Sequence, residues 1–134
     1  MRQSSLYETE PVDFLDQGWF LNAAAEIETE LAPEVLMRLL LEIERSMGRE
    51  RRIPKGPRLI DIDILLYGNN SVRSPELKIP HPRMTERRFV LVPLAEIAPD
   101  LRHPVFKKTI AELLALTPDQ SEVRRYDSSA GAEK

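Results

Sequence analysis

Two aspartates carry the strongest chemical signal in this chain. In the run GPRLIDIDILLYG, residues 56–68, Asp61 and Asp63 stand two positions apart among aliphatic residues. On a strand such a pair points to one face, with Cα atoms about 6.6 Å apart. Ile60, Ile62, Ile64 and Leu66 then take the other face and are expected in the core. Side-by-side carboxylates repel each other and need positive compensation. A hard divalent cation supplies it, and Mg²⁺ commonly takes one or two carboxylates together with phosphate oxygens and water. The ordinary alternative is a solvated strand face, and an Asp-x-Asp pair by itself discriminates weakly.

The neighbouring residues sharpen the reading. Arg49, Arg51, Arg52, Lys55 and Arg58 put five cations into the ten residues 49–58, shortly before the acidic pair, among Pro54, Gly56 and Pro57. His81, Arg83, Arg87 and Arg88 form a second basic segment. Carboxylates flanked by arginines suit a Mg²⁺–polyphosphate ligand, because the metal bridges acid and phosphate while Arg binds phosphate oxygens bidentately. An exposed charged linker is the commoner fate of such a loop, and a lone His between prolines is better read as a ligand contact than as a catalyst. The sequence has no GxxxxGK[ST] loop, no protein-kinase motif set, no zinc spacing, no nucleophile elbow and no dinucleotide fingerprint.

The elements that must position these residues follow from pattern. Residues 1–9 read as a short strand and 10–18 as a loop rich in turn formers. Trp19 to Thr29 reads as a strand with Phe20, Asn22, Ala24 and Glu26 on one face. Residues 33–47 read as a helix: Pro33 suits the first turn, Leu36, Leu39, Leu40, Ile43 and Met47 recur at helical spacing, and Gly48 suits the end. The acidic run 59–68 reads as a strand closed by a Gly68-Asn69-Asn70 turn. Three prolines in 74–82 predict an edge strand or irregular segment. A short helix is expected near Pro93 to Ile97, and Thr109 with Glu112 forms a capping box for a last helix through Leu116. The order predicts an α+β fold with a small, mostly antiparallel sheet and packed helices. We read one domain over 1–118 and a polar tail over 119–134.

Composition excludes several classes. The 134 residues are 42% hydrophobic, too apolar for an intrinsically disordered chain. No apolar run reaches the ~18 residues of a membrane span, and the N-terminus lacks a signal-peptide core. A net charge of −3 argues against a general nucleic-acid binder. The absence of Cys removes disulfides and thiolate metal sites and fits a cytoplasmic setting.

Three segments in order, FLNAAAEIET (20–29), GPRLIDIDILLYG (56–68) and IPHPRMTERRFVLVPLAEIAPDL (79–101), resemble the 6-hydroxymethyl-7,8-dihydropterin pyrophosphokinases of folate biosynthesis. The resemblance runs from about Leu6 to about Pro104. It implies a ferredoxin-like α+β sandwich that transfers the pyrophosphoryl group of ATP to the pterin hydroxymethyl oxygen and releases AMP. It implies two Mg²⁺ ions on Asp61 and Asp63, and phosphate-stabilising Arg49 and Arg58, with Arg51 and Arg52 in a mobile loop. The pterin would stack between Phe20 and Phe89, with Asn22 reading its polar edge and Thr9, Glu10 and Val12 completing the pocket. Glu44, Ile64, Lys78, His81 and Arg87 would serve the nucleotide. Apart from the family, Phe20 and Asn22 already share a face at i and i+2, as a stacking ring and an amide should, and a flat apolar slot with few polar groups suits a neutral heteroaromatic.

The chain departs from the family at its start, where a strand, a Gly-Ser-Asn-Leu-Gly-type turn and a helix are expected and do not occur. A partner chain or second copy completing the sheet, or an inactive nucleotide-binding fragment, is the competing expectation. Lys55 stands where many members have Trp, and Pro82 where some have Tyr. A small RNA-binding module is disfavoured by an aromatic content of only 6%.

Overall fold

Among the described residues, short antiparallel strands and three α-helices make an α+β arrangement. The computed structural model describes residues 1–9, 20–48 and 62–126. It divides into two units, Met1–Glu28 with Arg83–Lys134, and Thr29–Pro82.

In the first unit, strand β1 spans Arg2–Gln3, β2 Tyr7–Thr9, β3 Phe20–Asn22 and β4 Ala25–Glu26. The sequence suggests one strand over 1–9 and another over 19–29; each is two short pieces. Ser4 explains the interruption. Its backbone N–H donates to the Ala24 carbonyl at 2.8 Å, but its hydroxyl takes the Ala24 N–H at 2.9 Å. A side chain thus replaces a backbone acceptor, and the regular ladder breaks there.

Strand β2 lies between β3 and a last strand, β7, Val123–Arg125. Tyr7 faces Asn22 and Arg125 across the two ladders, and Thr9 faces Phe20 and Val123. Tyr7 and Thr9 are buried and Glu8 is half-buried on the opposite face, where its carboxylate meets Arg124 at 2.9 Å. Residues from Asp119 onward, read from sequence as a polar tail, therefore include a sheet strand; residues 127–134 lie outside the described residues.

Helix α2, Arg88–Ile97, packs against β2, β3, β4, β7 and helix α3, Ile110–Leu116. It begins five residues earlier than expected. Arg87 is extended, so the first free helical N–H, that of Arg88, donates to the Asp119 carboxylate at 2.8 Å. Leu91, Leu94 and Ile97 bury one stripe with Met84, Ile110 and Leu113. Each such side chain contributes about 1.5–3 kcal/mol on burial. Pro93 lies inside the helix and is buried; it removes one backbone bond but adds apolar surface. The capping box of α3 forms as expected: the Thr109 N–H donates to Glu112 at 2.7 Å and the Glu112 N–H to the Thr109 hydroxyl at 3.1 Å.

In the second unit, helix α1 spans Pro33–Gly48. Its apolar repeat is as expected, but only Leu36 is buried, while Leu39, Ile43 and Met47 are each more than 40% exposed. The expected strand over 59–68 is not formed in its described part: residues 62–67 pair with no strand among the described residues. One backbone contact, from the His81 N–H to the Leu65 carbonyl at 2.9 Å, does not make a ladder. Ile62, Ile64 and Leu66 are consequently half-buried rather than core. The turn holds, with Gly68 at φ 54° and the Asn70 N–H on the Tyr67 carbonyl at 3.0 Å. Strands β5, Val72–Arg73, and β6, Lys78–Ile79, then pair as a small antiparallel ladder.

His103 organises the loop before α3. It is 4% exposed, and its Nδ1 accepts the N–H groups of Val105 and Phe106, both at 3.2 Å. Burial pushes its pKa below the usual imidazole value. The neutral ring is the folded form, so this stabilisation is full above the unfolded value of about 6.5 and is lost as pH falls through the lower folded value. Denaturant titrations between about pH 7 and pH 5 should show the parent protein losing stability on acidification, and His103→Gln losing less over the same range.

Candidate functional site

Thr9 and Asn22 form the best-defined polar pair. The ladder sets Thr9 beside Phe20 and Tyr7 beside Asn22, all on one face. The Asn22 Nδ2 donates to the Thr9 hydroxyl at 2.7 Å. Thr9 is 3% exposed and Asn22 half-buried. The amide oxygen and second amide hydrogen of Asn22 bond no other described residue. A half-buried amide keeping one donor and one acceptor offers a complementary edge to a ligand with the same pattern. Phe20 exposes 47% of its surface and provides an apolar ring next to that edge.

Phe89, also expected in this pocket, sits half-buried in the first turn of α2, which packs against β3. The Arg87 guanidinium lies 5.5 Å from its ring centroid, within cation–π range. Glu10 and Val12 lie outside the described residues.

A carboxylate anchors this face from the helix side. Glu96 on α2 accepts the Tyr7 hydroxyl at 2.7 Å, the Ser5 N–H at 3.0 Å and the Ser5 hydroxyl at 3.2 Å, with Arg125 at 3.8 Å. The Tyr7 hydroxyl and then the Ser5 N–H hold the Glu96 pKa below the ordinary carboxylate value. Burial, and next the same carboxylate, raise that of Tyr7. Sequence reasoning did not single out Glu96, because its partners are about 90 positions away.

The expected nucleotide residues Glu44, Asp63, Ile64, Lys78 and His81 belong to the second unit and Arg87 to the first. Glu44 on α1 accepts the Ile62 N–H at 2.5 Å and so fixes the backbone one residue before Asp63. Asp63 is exposed and bonds no described residue. Ile64 is half-buried. The Lys78 ammonium caps the Ser74 carbonyl at 3.2 Å, and His81 is half-buried with its N–H on Leu65. Asp61, Arg49, Arg51, Arg52 and Arg58 lie outside the described residues. No group of three or more His, Cys, Asp or Glu side chains that could hold a metal occurs among the described residues.

The family described as 7,8-dihydro-6-hydroxymethylpterin-pyrophosphokinase (HPPK) matches residues 1–99. The chain belongs to the HPPK family. It is 42% identical over 131 residues to the 2-amino-4-hydroxy-6-hydroxymethyldihydropteridine pyrophosphokinase of Bacillus subtilis, covering 98% of this chain and 74% of that protein. It is 47% identical over 125 residues to the enzyme of the same name from Methylorubrum extorquens, covering 93% of this chain and 77% of that one. The folic acid synthesis protein fol1 of Schizosaccharomyces pombe is 46% identical over 125 residues, which are 93% of this chain but 17% of that longer protein. As an HPPK, the chain is a diphosphokinase, and the resemblance drawn from its three segments holds. Among the described residues no helix is long and apolar enough to cross a membrane.

The Glu96 anchor is testable without substrate. Tyr7→Phe removes one hydrogen bond to a carboxylate and should lower stability by about 1.5–3 kcal/mol in denaturant titrations. In the same variant the Glu96 pKa, followed by carboxyl NMR, should rise towards the ordinary value.

Proposed function

We propose that this HPPK transfers the β,γ-pyrophosphoryl group of ATP to the hydroxymethyl oxygen of 6-hydroxymethyl-7,8-dihydropterin through the residues named above. The bond between the β-phosphorus and the oxygen bridging to the α-phosphorus breaks, the new bond forms from the β-phosphorus to the pterin oxygen, the hydroxyl proton is released, and AMP leaves. The observation that carries the pterin half is the Asn22 amide, oriented by Thr9 and keeping a donor and an acceptor for a heterocyclic edge. Phe20 and Phe89 supply stacking surface, and the family resemblance adds Glu10 and Val12 to the residues that would bind the pterin. Arg87, drawn to the Phe89 ring, brings a cation to that side.

For the nucleotide half, Asp63 fits a hard cation: its carboxylate is exposed and uncommitted, on backbone that Glu44 holds. Asp61 and Asp63 would hold Mg²⁺, two ions by family pattern, and bound Mg²⁺ would neutralise phosphate charge and favour the pyrophosphoryl group's transfer. Arg49 and Arg58 bind phosphate oxygens and stabilise charge as AMP departs. Arg51 and Arg52 extend that basic loop, while His81, Lys78 and Ile64 contact the nucleotide. Positioning and electrostatics suffice, because phosphoryl chemistry asks little covalent help of the protein. A ferredoxin-like arrangement is the fold we propose, supported by a helix packed on a small antiparallel sheet that includes β7.

AMP release measured with Mg²⁺, ATP and pterin tests the acidic pair. Asp61→Asn and Asp63→Asn should each lower turnover by at least about 100-fold, since several kcal/mol of charge stabilisation depend on the metal. Both should leave the denaturation midpoint nearly unchanged, because neutralising one of two like charges does not harm the fold. Full activity in Asp63→Asn would overturn this assignment.

A further inference from the structure

Helix α2 begins without a local cap, as Arg87 makes no side-chain capping bond. Its first-turn N–H groups carry partial positive charge and lack intrahelical acceptors. A residue thirty-one positions away fills the gap. Asp119 accepts the Arg88 N–H on one oxygen at 2.8 Å, and on the other accepts the Ser121 N–H at 2.9 Å and the Ser121 hydroxyl at 2.5 Å. The Arg88 Nε donates back to the Ser121 carbonyl at 3.0 Å. Two bonds therefore tie the start of α2 to 119–121. The chain then enters β7, which pairs with β2 along Val123↔Thr9, Arg124↔Glu8 and Arg125↔Tyr7.

We infer that the segment Asp119–Arg125 is a positioning element for the pterin half-site, with Asp119 its principal residue. One end holds the helix turn that carries Phe89, and the other holds the strand that carries Thr9. The two walls are joined by a strap of seven residues that lies beyond the 1–99 match to the family. The Asp119 carboxylate can serve as a fixed anionic anchor. Burial opposes its charge, yet the Ser121 hydroxyl and the two N–H groups outweigh burial and hold its pKa below the ordinary value. Asp119 touches no substrate. It acts through α2, whose first turn follows Arg87, while the other nucleotide residues named belong to the second unit, so its loss should loosen pterin binding far more than nucleotide binding.

This inference rests on the pterin reading of Thr9, Asn22 and Phe89, and the experiment separates the two. Steady-state kinetics of the full chain are measured for Asp119→Asn and Phe89→Ala, varying 6-hydroxymethyl-7,8-dihydropterin and Mg²⁺–ATP in turn. Asp119→Asn should raise KM for the pterin about tenfold, a 1.4 kcal/mol change, while KM for ATP moves less than about twofold. A merely structural role would lower the active fraction, reducing kcat with both KM values intact, and that result overturns the inference. So does an equal rise in both KM values. Should Asp119→Asn lose its circular dichroism spectrum, Ser121→Ala, which keeps the Arg88–Asp119 bond, is read instead and should give a smaller rise confined to the pterin. If Phe89→Ala raises the pterin KM and Asp119→Asn does not, the strap fails and the pterin site stands. If Phe89→Ala also leaves it unchanged, the pterin site itself fails.

Discussion

Strand β2 has only three residues, and the side-chain directions of the first unit depend on its register. Tyr7 and Thr9 lie on the buried face, with the Tyr7 hydroxyl on Glu96 of α2, and Glu8 lies on the other face. A slip of one residue would reverse all three, burying the Glu8 carboxylate and exposing the tyrosine ring. Two short ladders alone would hold this register weakly. Glu96 fixes it from α2 by accepting Tyr7 and Ser5 together, so the strand is tied to helix as well as sheet. The Thr9–Asn22 bond forms on the far end of that tie. The orientation of the Asn22 amide is thus tied to how one carboxylate is satisfied.

The two sets of residues proposed for the two substrates differ in chemistry as the substrates do. The residues assigned to the pterin are an amide, a hydroxyl and aromatic rings, suited to a neutral ring with a donor–acceptor edge. Those assigned to the nucleotide are carboxylates and cations, suited to a polyphosphate and its metal. A net charge of −3 conceals this separation, because 19 basic and 22 acidic side chains nearly cancel over the whole chain.

What was legible in the sequence was what local physics determines. Helix α1, the Thr109–Glu112 box and the Gly68 turn each depend on residues within a few positions, and each is found where expected. The Asp-x-Asp signal, with two further ordered segments, was enough for the family. Long-range partners were not legible. Ser4 breaks a strand twenty residues away, Glu96 clamps residues about ninety away, and Asp119 caps a helix whose own sequence lacks a cap. The polar composition after residue 118 suggested a tail because its hydrogen-bonding partners are distant in sequence. In the other direction, the helical repeat of α1 implied burial that only Leu36 achieves, since periodicity defines an apolar face but not what covers it.

The most direct test of the account follows the Asn22 side-chain amide by NMR in uniformly ¹⁵N-labelled protein, with Asn22→Ala to assign the resonance. Adding 6-hydroxymethyl-7,8-dihydropterin should shift both amide hydrogens in a saturable manner, and Thr9→Val should weaken the same titration. An Asn22 amide that stays unmoved while the pterin binds and turns over would contradict the account, for the heterocycle would then be read elsewhere.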